Sequence, residues 1–550
     1  MKIYFHSKHQ PTFLEGVTSL GQRGATLSSI FNLRPANFPI LLLLVMLAAC
    51  STQQQSQTPP QESIQSEGNE KKPAIANALS DARKDTRFIS ALQTCDLGKI
   101  EPFLDHPSLN LEEGLHGRTP LMYAVACGEP SVIKAILEAS PNLDQADESG
   151  NTAIFFLPAK DDPAILEALI GAGADIHHKN KIGNTVLFTA AMLGHTQIVD
   201  LLLSKGLKDD AANRPGRNAF AEAVLNGHFA IAETLRKSGT VINPELKKHH
   251  SLLSFASGQG NLPAVKYLLE LEVSPNPEAP EAKVPILEAS FKGHSEIVKA
   301  LAKHGANLER LNRKGLTPLQ IAAEKGHLEA VKILVQFHAD LENKGEDPTQ
   351  STPLLLAAHN EHDMVVEQLL LAGANVNARN RGQVTVLMHA SFRRRLGLVR
   401  RLLKTKGIDV NARNRDGHTA LVYAVVKSQL EITNLLLAHG ADPNVETFIK
   451  AFGRVTPLAM AVGRGNVEMT NALLNAGAKA DINVDVANVG QTTPLIMAAR
   501  NQYAPIVASL LAHGAKADSV DAKGLSALAW AQKNQDQAMV HLLLAKNVTE

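Results

Sequence analysis

An all-α solenoid of stacked helix-turn-helix units, joined by β-hairpin loops, is the fold class that this chain of 550 residues predicts. Three observations carry the prediction. A block of about thirty-three residues recurs from Thr119 onward, each copy holds two short apolar stretches at helical spacing, and a glycine separates them in most copies. Such a length exceeds what one compact core supports, but stacked units escape that limit because each buries its apolar face on its neighbours. A composition of 44% hydrophobic and only 4% aromatic residues, with formal net charge +1, fits a helical array rich in Ala and Leu. It excludes a chain whose overall charge selects its partners.

The unit opening at Thr317 shows why each element forms. Thr317 caps the first helix through its hydroxyl, and Pro318 follows where a missing N–H costs nothing. Ala322-Ala323 permits close helix approach, and Gly326 takes the left-handed geometry that ends the helix. Ala330-Val331, Ile333-Leu334 and Val335 then give the second helix its apolar face.

Gly117-Arg-Thr-Pro-Leu121, Gly150-Asn-Thr-Ala-Ile154, Gly183-Asn-Thr-Val-Leu187, Gly315-Leu-Thr-Pro-Leu319 and Gly417-His-Thr-Ala-Leu421 open units that close near Gly-Ala-Asp or Gly-Ala-Asn. This pattern of Thr-Pro-Leu, Ala-Ala, Gly-His, Val-x-Leu-Leu and Gly-Ala-Asp resembles the ankyrin repeat, over about residues 85–550. The resemblance implies a concave surface of hairpin tips and first-helix side chains that binds other proteins, with no chemistry in the repeat itself. Openings fall at Thr119, Thr152, Thr185, Asn218, Ser251, Val284, Thr317, Thr352, Thr385, Thr419, Thr456, Thr493 and Ser526. A degenerate opening near Thr86 brings the array, residues 75–550, to about fourteen units.

Departures from the pattern carry expectations of their own. The spacing stretches before Thr352, Thr456 and Thr493, which places insertions in the hairpins. The turn glycine holds at Gly128, Gly194, Gly227, Gly260, Gly293, Gly326 and Gly465, whereas Asp161, Glu361, Arg394, Ser428, Gln502 and Gln535 replace it in less comfortable turns. Cys95 and Cys127 lie at nearly equivalent positions of adjoining units. Regular stacking sets their backbones roughly 10 Å apart, beyond the roughly 7 Å reach of a bridge, although an oxidising space leaves a disulfide open.

Residues 1–49 read as a signal peptide, with an apolar run from Phe38 to Ala49 too short to span hydrocarbon. Residues 1–33 are long for a segment ahead of that run, as a start set too far upstream would make them. Leu47-Ala-Ala-Cys50 resembles the lipobox of bacterial lipoproteins, which implies cleavage before Cys50 and acylation of its side chain and amine. Several acyl chains on one cysteine anchor a protein without a spanning helix. Residues 50–74, rich in Gln, Ser, Pro and Glu, form an expected disordered tether. Ser51 resembles residues that direct lipoproteins to the outer membrane, and the implied location is the bacterial cell envelope, facing the periplasm. The alternative is a secreted ankyrin effector that binds host proteins.

Charge is polarised along the array. From Asp96 to Asp175 fourteen acidic residues face four basic ones, whereas from Arg379 to Arg415 eleven basic residues face only Asp409. Arg379, Arg381, Arg413 and Arg415 fall at successive hairpin tips, with Arg393, Arg394, Arg395, Arg400, Arg401, Lys404 and Lys406 between them. With no acidic neighbours in sequence apart from Asp409, they point to an acidic protein or anionic headgroups as partner. Nucleic acid is disfavoured, since no aromatic platform interleaves with the arginines. The long loop Glu446–Gly453 places Phe448, Ile449 and Phe452 as a docking knob, unless it folds back on itself.

No constellation points to catalysis, a cofactor or a small-molecule substrate. His359-Asn-Glu-His362 lacks the spacing of a zinc helix, the His177-His178 and His249-His250 pairs diverge, and neither a Gly-x-Ser-x-Gly nor a phosphate-cradling loop is present. The reading is a non-catalytic interaction scaffold.

Overall fold

The computed structural model describes residues 87–104, 111, 117–209, 213–242, 245–246, 250–279, 282–449, 453–486 and 490–547. The signal peptide, Cys50, the tether and Phe452 lie outside the described residues.

Helix pairs follow one another through the described array, with the Thr152 unit the exception. A helix over residues 87–93 precedes Leu97–Leu104, and the next unit pairs Pro120–Cys127 with Pro130–Glu138. In the Thr317 unit the helices are Pro318–Lys325 and Leu328–Gln336. The Gln320 amide N–H donates to Thr317 Oγ1 at 3.2 Å, and the Thr317 N–H donates to Gln320 Oε1 at 2.8 Å, a reciprocal capping box. Eight more threonines, Asn218, Ser251 and Ser526 open their units, and all but Thr152 accept the same N3 amide; Val284 makes no side-chain cap. First helices pack on first helices and second on second, and the buried Leu, Ile, Val and Ala residues form one continuous core.

Two side-chain ladders join unit to unit. The first starts from the residue after the turn position, whether that position holds glycine or, as at Glu361 and Ser428, another residue. His228 Nε2 meets the Met192 carbonyl at 3.2 Å, His327 the Phe291 carbonyl at 3.1 Å and His362 the Glu324 carbonyl at 3.1 Å. Asn261 and Gln429 donate from the same place to the carbonyls of Leu225 and Ser391. These are the carbonyls that a helix end leaves without an intrahelical partner. The second ladder uses asparagines after the second helix. Asn377 Nδ2 donates to the Gly407 carbonyl at 2.7 Å while its Oδ1 accepts the Asp409 amide at 2.8 Å. Asn276, Asn411 and Asn444 repeat the same clamp on the next unit's Gly and the residue two beyond it.

Hairpins between units are mostly too short for paired strands, but their tips are joined. The amides of Lys181, Arg214, Arg381, Arg415 and Ala522 each donate to a carbonyl of the preceding tip. Of the three stretched spacings, the two before Thr456 and Thr493 produce real strands, and the one before Thr352 does not. Thr447–Ile449, Gly453–Val455, Val484–Val486 and Gly490–Thr492 form one four-stranded antiparallel sheet, so the insertions lengthen the hairpins as expected.

Three expectations need correction. The Thr152 unit has no first α-helix, only a 3-10 turn at Ala153–Phe155, because Pro158 removes a donor where the helix would continue. Asp161 therefore does not replace a turn glycine. Its carboxylate accepts the amides of Gln197 at 2.8 Å and Ile198 at 3.1 Å, capping the second helix of the next unit. Second, Cys95 and Cys127 are bonded, with Cα atoms 5.6 Å apart. Cys95 sits in the turn itself at φ +56° and not inside a helix, and that one-residue offset from Cys127 brings the two backbones together. Third, the run of arginines does find acidic partners, described below.

Replaced turn glycines keep the left-handed backbone: Glu361, Arg394, Ser428, Gln502 and Gln535 all have φ between 54° and 65°. Where glycine remains, two causes separate. A Cβ on Gly326 would lie 2.5 Å from His362 Nδ1, whereas one on Gly227 would meet nothing within 4 Å. Gly227→Ala is expected to cost only the left-handed penalty of about 1–2 kcal/mol. Gly326→Ala should cost more, since it also displaces the His362 cap, and urea denaturation of both variants checks the order.

Candidate protein-binding surface

The outward face of the first helices comes from residues four, seven and eight places after each N-cap. In the units opening at Thr385 and Thr419 these are His389, Phe392 and Arg393, then Tyr423, Val426 and Lys427. Phe392 is 40% exposed, meets the Tyr423 ring edge-on at 5.6 Å, and carries the Lys427 ammonium 4.3 Å above its centre. Phe291, 47% exposed, lies under both Lys292 and Lys325, and Trp530 lies under Arg500 and Lys533. Such cation–ring contacts hold a charge in place without neutralising it.

The expected arginine tips divide into two groups. Arg379 pairs with Asp409 at 3.4 Å, Arg395 with Glu361 at 3.0 Å and Asp363 at 2.7 Å, and Arg401 with Glu367 at 2.8 Å. Arg394 donates to the Lys427 carbonyl. These partners stand about one repeat away in sequence, so the absence of local acids does not leave these arginines free. Arg381, Arg393, Arg400, Lys404, Lys406, Arg413 and Arg415 are exposed and form no ion pair among the described residues.

The docking knob divides as well. Phe448 is 63% exposed on its strand, opposite Arg454, and its carbonyl meets His418 Nε2 at 3.0 Å. Ile449 instead packs against the core. The row Phe448, Arg454, Asp485 and Gln491 runs across the sheet on its exposed side.

A recess of about 600 Å³ lies between the hairpins of the Thr317 and Thr352 units, lined by Arg313, Lys314, Glu324, Glu346 and Asp347 among others. Among the described residues no three His, Cys, Asp or Glu side chains converge as a metal site. The surface offers shape and charge along many units.

The repeated caps, clamps and stacked pairs decide the family. The chain is an ankyrin-repeat protein. Its sequence matches the family described as "Ankyrin repeats (3 copies)" over residues 155–247, 253–344, 286–380, 354–447 and 458–550, and "Ankyrin repeat" over 116–148. Among solved structures it is similar to the ankyrin repeat domain of Bcl-3, described as a unique member of the IkappaB protein family. The identity is 30%, the TM-score 0.36, and the match covers 42% of this chain and 100% of that one. No curated protein matches it. As an ankyrin array the chain is a protein-interaction scaffold, and the surface above is what it presents.

The cation row on the first helices was missed by sequence reasoning. Its members stand a full repeat apart and form no local run, and only alignment of the units by their caps brings them into register.

One titratable pair sits on this face. His359 Nδ1 and His389 Nε2 are 2.9 Å apart. Burial first, then the charges of His359 and Arg393, bring the His389 pKa down from 6.5 to about 4, against an opposing pull from Glu361. The unfolded chain thus takes this proton first as pH falls. The stabilising contribution is complete above pH 6.5 and erodes as pH drops toward about 4. The His389→Gln variant should therefore lose less stability than the native chain across that window. An NMR titration of the His389 ring with its midpoint near 6.5 would contradict the assignment.

Proposed function

We propose that this ankyrin array is a lipid-anchored scaffold of the bacterial cell envelope, held through acylated Cys50 and binding partner proteins on its first-helix and hairpin surface. The observation that carries the reading is the Cys95–Cys127 bridge. Disulfides persist in oxidising spaces such as the periplasm and are reduced in the cytosol, so the bridge agrees with export beyond the inner membrane. The lipobox Leu47-Ala-Ala-Cys50 supplies the anchor, and the polar segment after it supplies the reach. No helix among the described residues is long and apolar enough to cross a membrane, and acyl chains do not need one.

Partner recognition on this reading follows from the exposed features. Arg381, Arg413 and Arg415 at the tips, with Arg393 nearby, draw an acidic partner, and Phe448 offers an apolar contact at the sheet. The already paired Arg379, Arg394 and Arg395 hold neighbouring units together, so they contribute less to recognition.

Metabolic labelling with an acyl-chain analogue tests the anchor. The native chain should carry label and sediment with membranes, whereas Cys50→Ser should lose both. Label retained by the variant overturns the anchor, and unlabelled protein in the medium favours the secreted effector. Thiol trapping of protein isolated from cells should find Cys95 and Cys127 blocked. Free thiols there would remove the support for an oxidising compartment. Crosslinking pull-down from envelope fractions should then recover a protein partner.

A further inference from the structure

Basic residues occupy one register of successive first helices in the C-terminal part of the array. Lys292, Lys325, Arg393, Lys427 and Arg464 each lie eight residues after an N-cap. Arg500 and Lys533 each lie seven after one. Only the unit opening at Thr352 interrupts the row, with His359 and Asn360 in those places. The register is different upstream, where Met192 and Leu193, both exposed, stand in the Thr185 unit and Gln259 in the Ser251 unit.

What holds these cations sets them apart. Several basic side chains elsewhere on the array sit on carboxylates, as Arg236 does on Glu233, Lys332 on Glu329 and Arg401 on Glu367, while Arg118 rests on Phe156. In the row, Lys325 has a carboxylate partner, Glu324, and Arg464 donates to the Val425 carbonyl. Lys292 and Lys325 rest on Phe291, Lys427 rests on Phe392, and Arg500 and Lys533 rest on Trp530, at 4.3 to 5.5 Å from the ring centres. A ring positions a cation and leaves its charge available, so the ring-held members of the row are oriented positive charges open to an anion.

We propose that this row binds an extended acidic polypeptide whose carboxylates are taken up about one per unit. The proposal rests on the reading of the array as a protein scaffold and adds the partner's chemistry. Packed helices stand roughly 8–10 Å apart. An extended chain advances about 3.3 Å per residue, so an acidic side chain at about every third position keeps step with the row. Single-stranded nucleic acid fits less well. It needs free aromatic faces for its bases, and here the protein's own cations already stand over Phe291, Phe392 and Trp530.

The test uses the full chain and a fluorescein-labelled peptide of about eight Glu-Gly-Ser repeats, long enough to span the row. Binding is read by fluorescence anisotropy at low and high salt. The expected result is salt-sensitive binding that weakens at least about tenfold when Lys292, Arg393, Lys427, Arg500 and Lys533 are all changed to Gln. The Lys299→Gln, Lys332→Gln, Arg401→Gln variant, changed on second helices, should bind as the native chain does. Should the fivefold variant fail to fold by circular dichroism, Lys427→Gln and Lys533→Gln singly are each expected to weaken binding by about threefold. Unchanged affinity in the neutralised chains overturns the proposal, as does equal binding of a Gln-Gly-Ser peptide. Tighter binding of a single-stranded oligonucleotide of the same charge overturns it in favour of nucleic acid. Recovery of the envelope partner by the neutralised chain would leave the scaffold reading standing and remove the acidic-polypeptide assignment.

Discussion

A first helix of this array ends with carbonyls that have no partner in the helix, and at many joints the next unit supplies one. His228, Asn261, His327, His362 and Gln429 all do so from the residue that follows a turn. The turn must be left-handed to release the chain in that direction, and the donor's side chain must pass close to the turn of the preceding unit. This accounts for glycine where the approach is tightest, at Gly293 and Gly326, whose pro-chiral hydrogens face the imidazoles of His327 and His362. It also accounts for tolerance elsewhere. Glu361, Arg394 and Ser428 accept the same backbone geometry at a cost that the surrounding stack offsets.

The asparagine clamps solve the same problem at the other end of each unit. An amide side chain both donates and accepts, so one residue such as Asn377 satisfies a carbonyl and an amide of its neighbour at once. Where Glu309 or Asp481 stands instead, the side chain accepts the neighbour's amide but has no hydrogen to donate. Cohesion therefore varies from joint to joint while the register stays constant. That constancy is what aligns side chains from distant parts of the sequence into one functional face.

Much of this was legible in the sequence because the repeat reports its own local physics. Thr317-Pro318, Ala322-Ala323 and Gly326 state the start, contact face and end of a helix, and all behave as their chemistry implies. What was not legible lies between units. The acidic partners of Arg379, Arg395 and Arg401 are about a repeat away, so a local count of charge left those arginines unpaired. Pro158 breaks a helix that the thirty-three-residue rhythm placed at Thr152. In the Glu446–Gly453 loop Phe448 projects, whereas Ile449 is absorbed, a division that the sequence does not show. The basic register on the first helices was hidden for the same reason as the ion pairs, since its order exists only after stacking.

The bond between Cys95 and Cys127 joins the first described unit to the second. In a stack where each layer leans only on adjacent layers, a covalent tie acts on the joint that it crosses and on no other. The layers opening at Thr493 and Ser526 have only hydrogen bonds, ring contacts and burial to hold them. Among the described residues, loosening between layers therefore meets a covalent stop only at the joint that Cys95 and Cys127 cross.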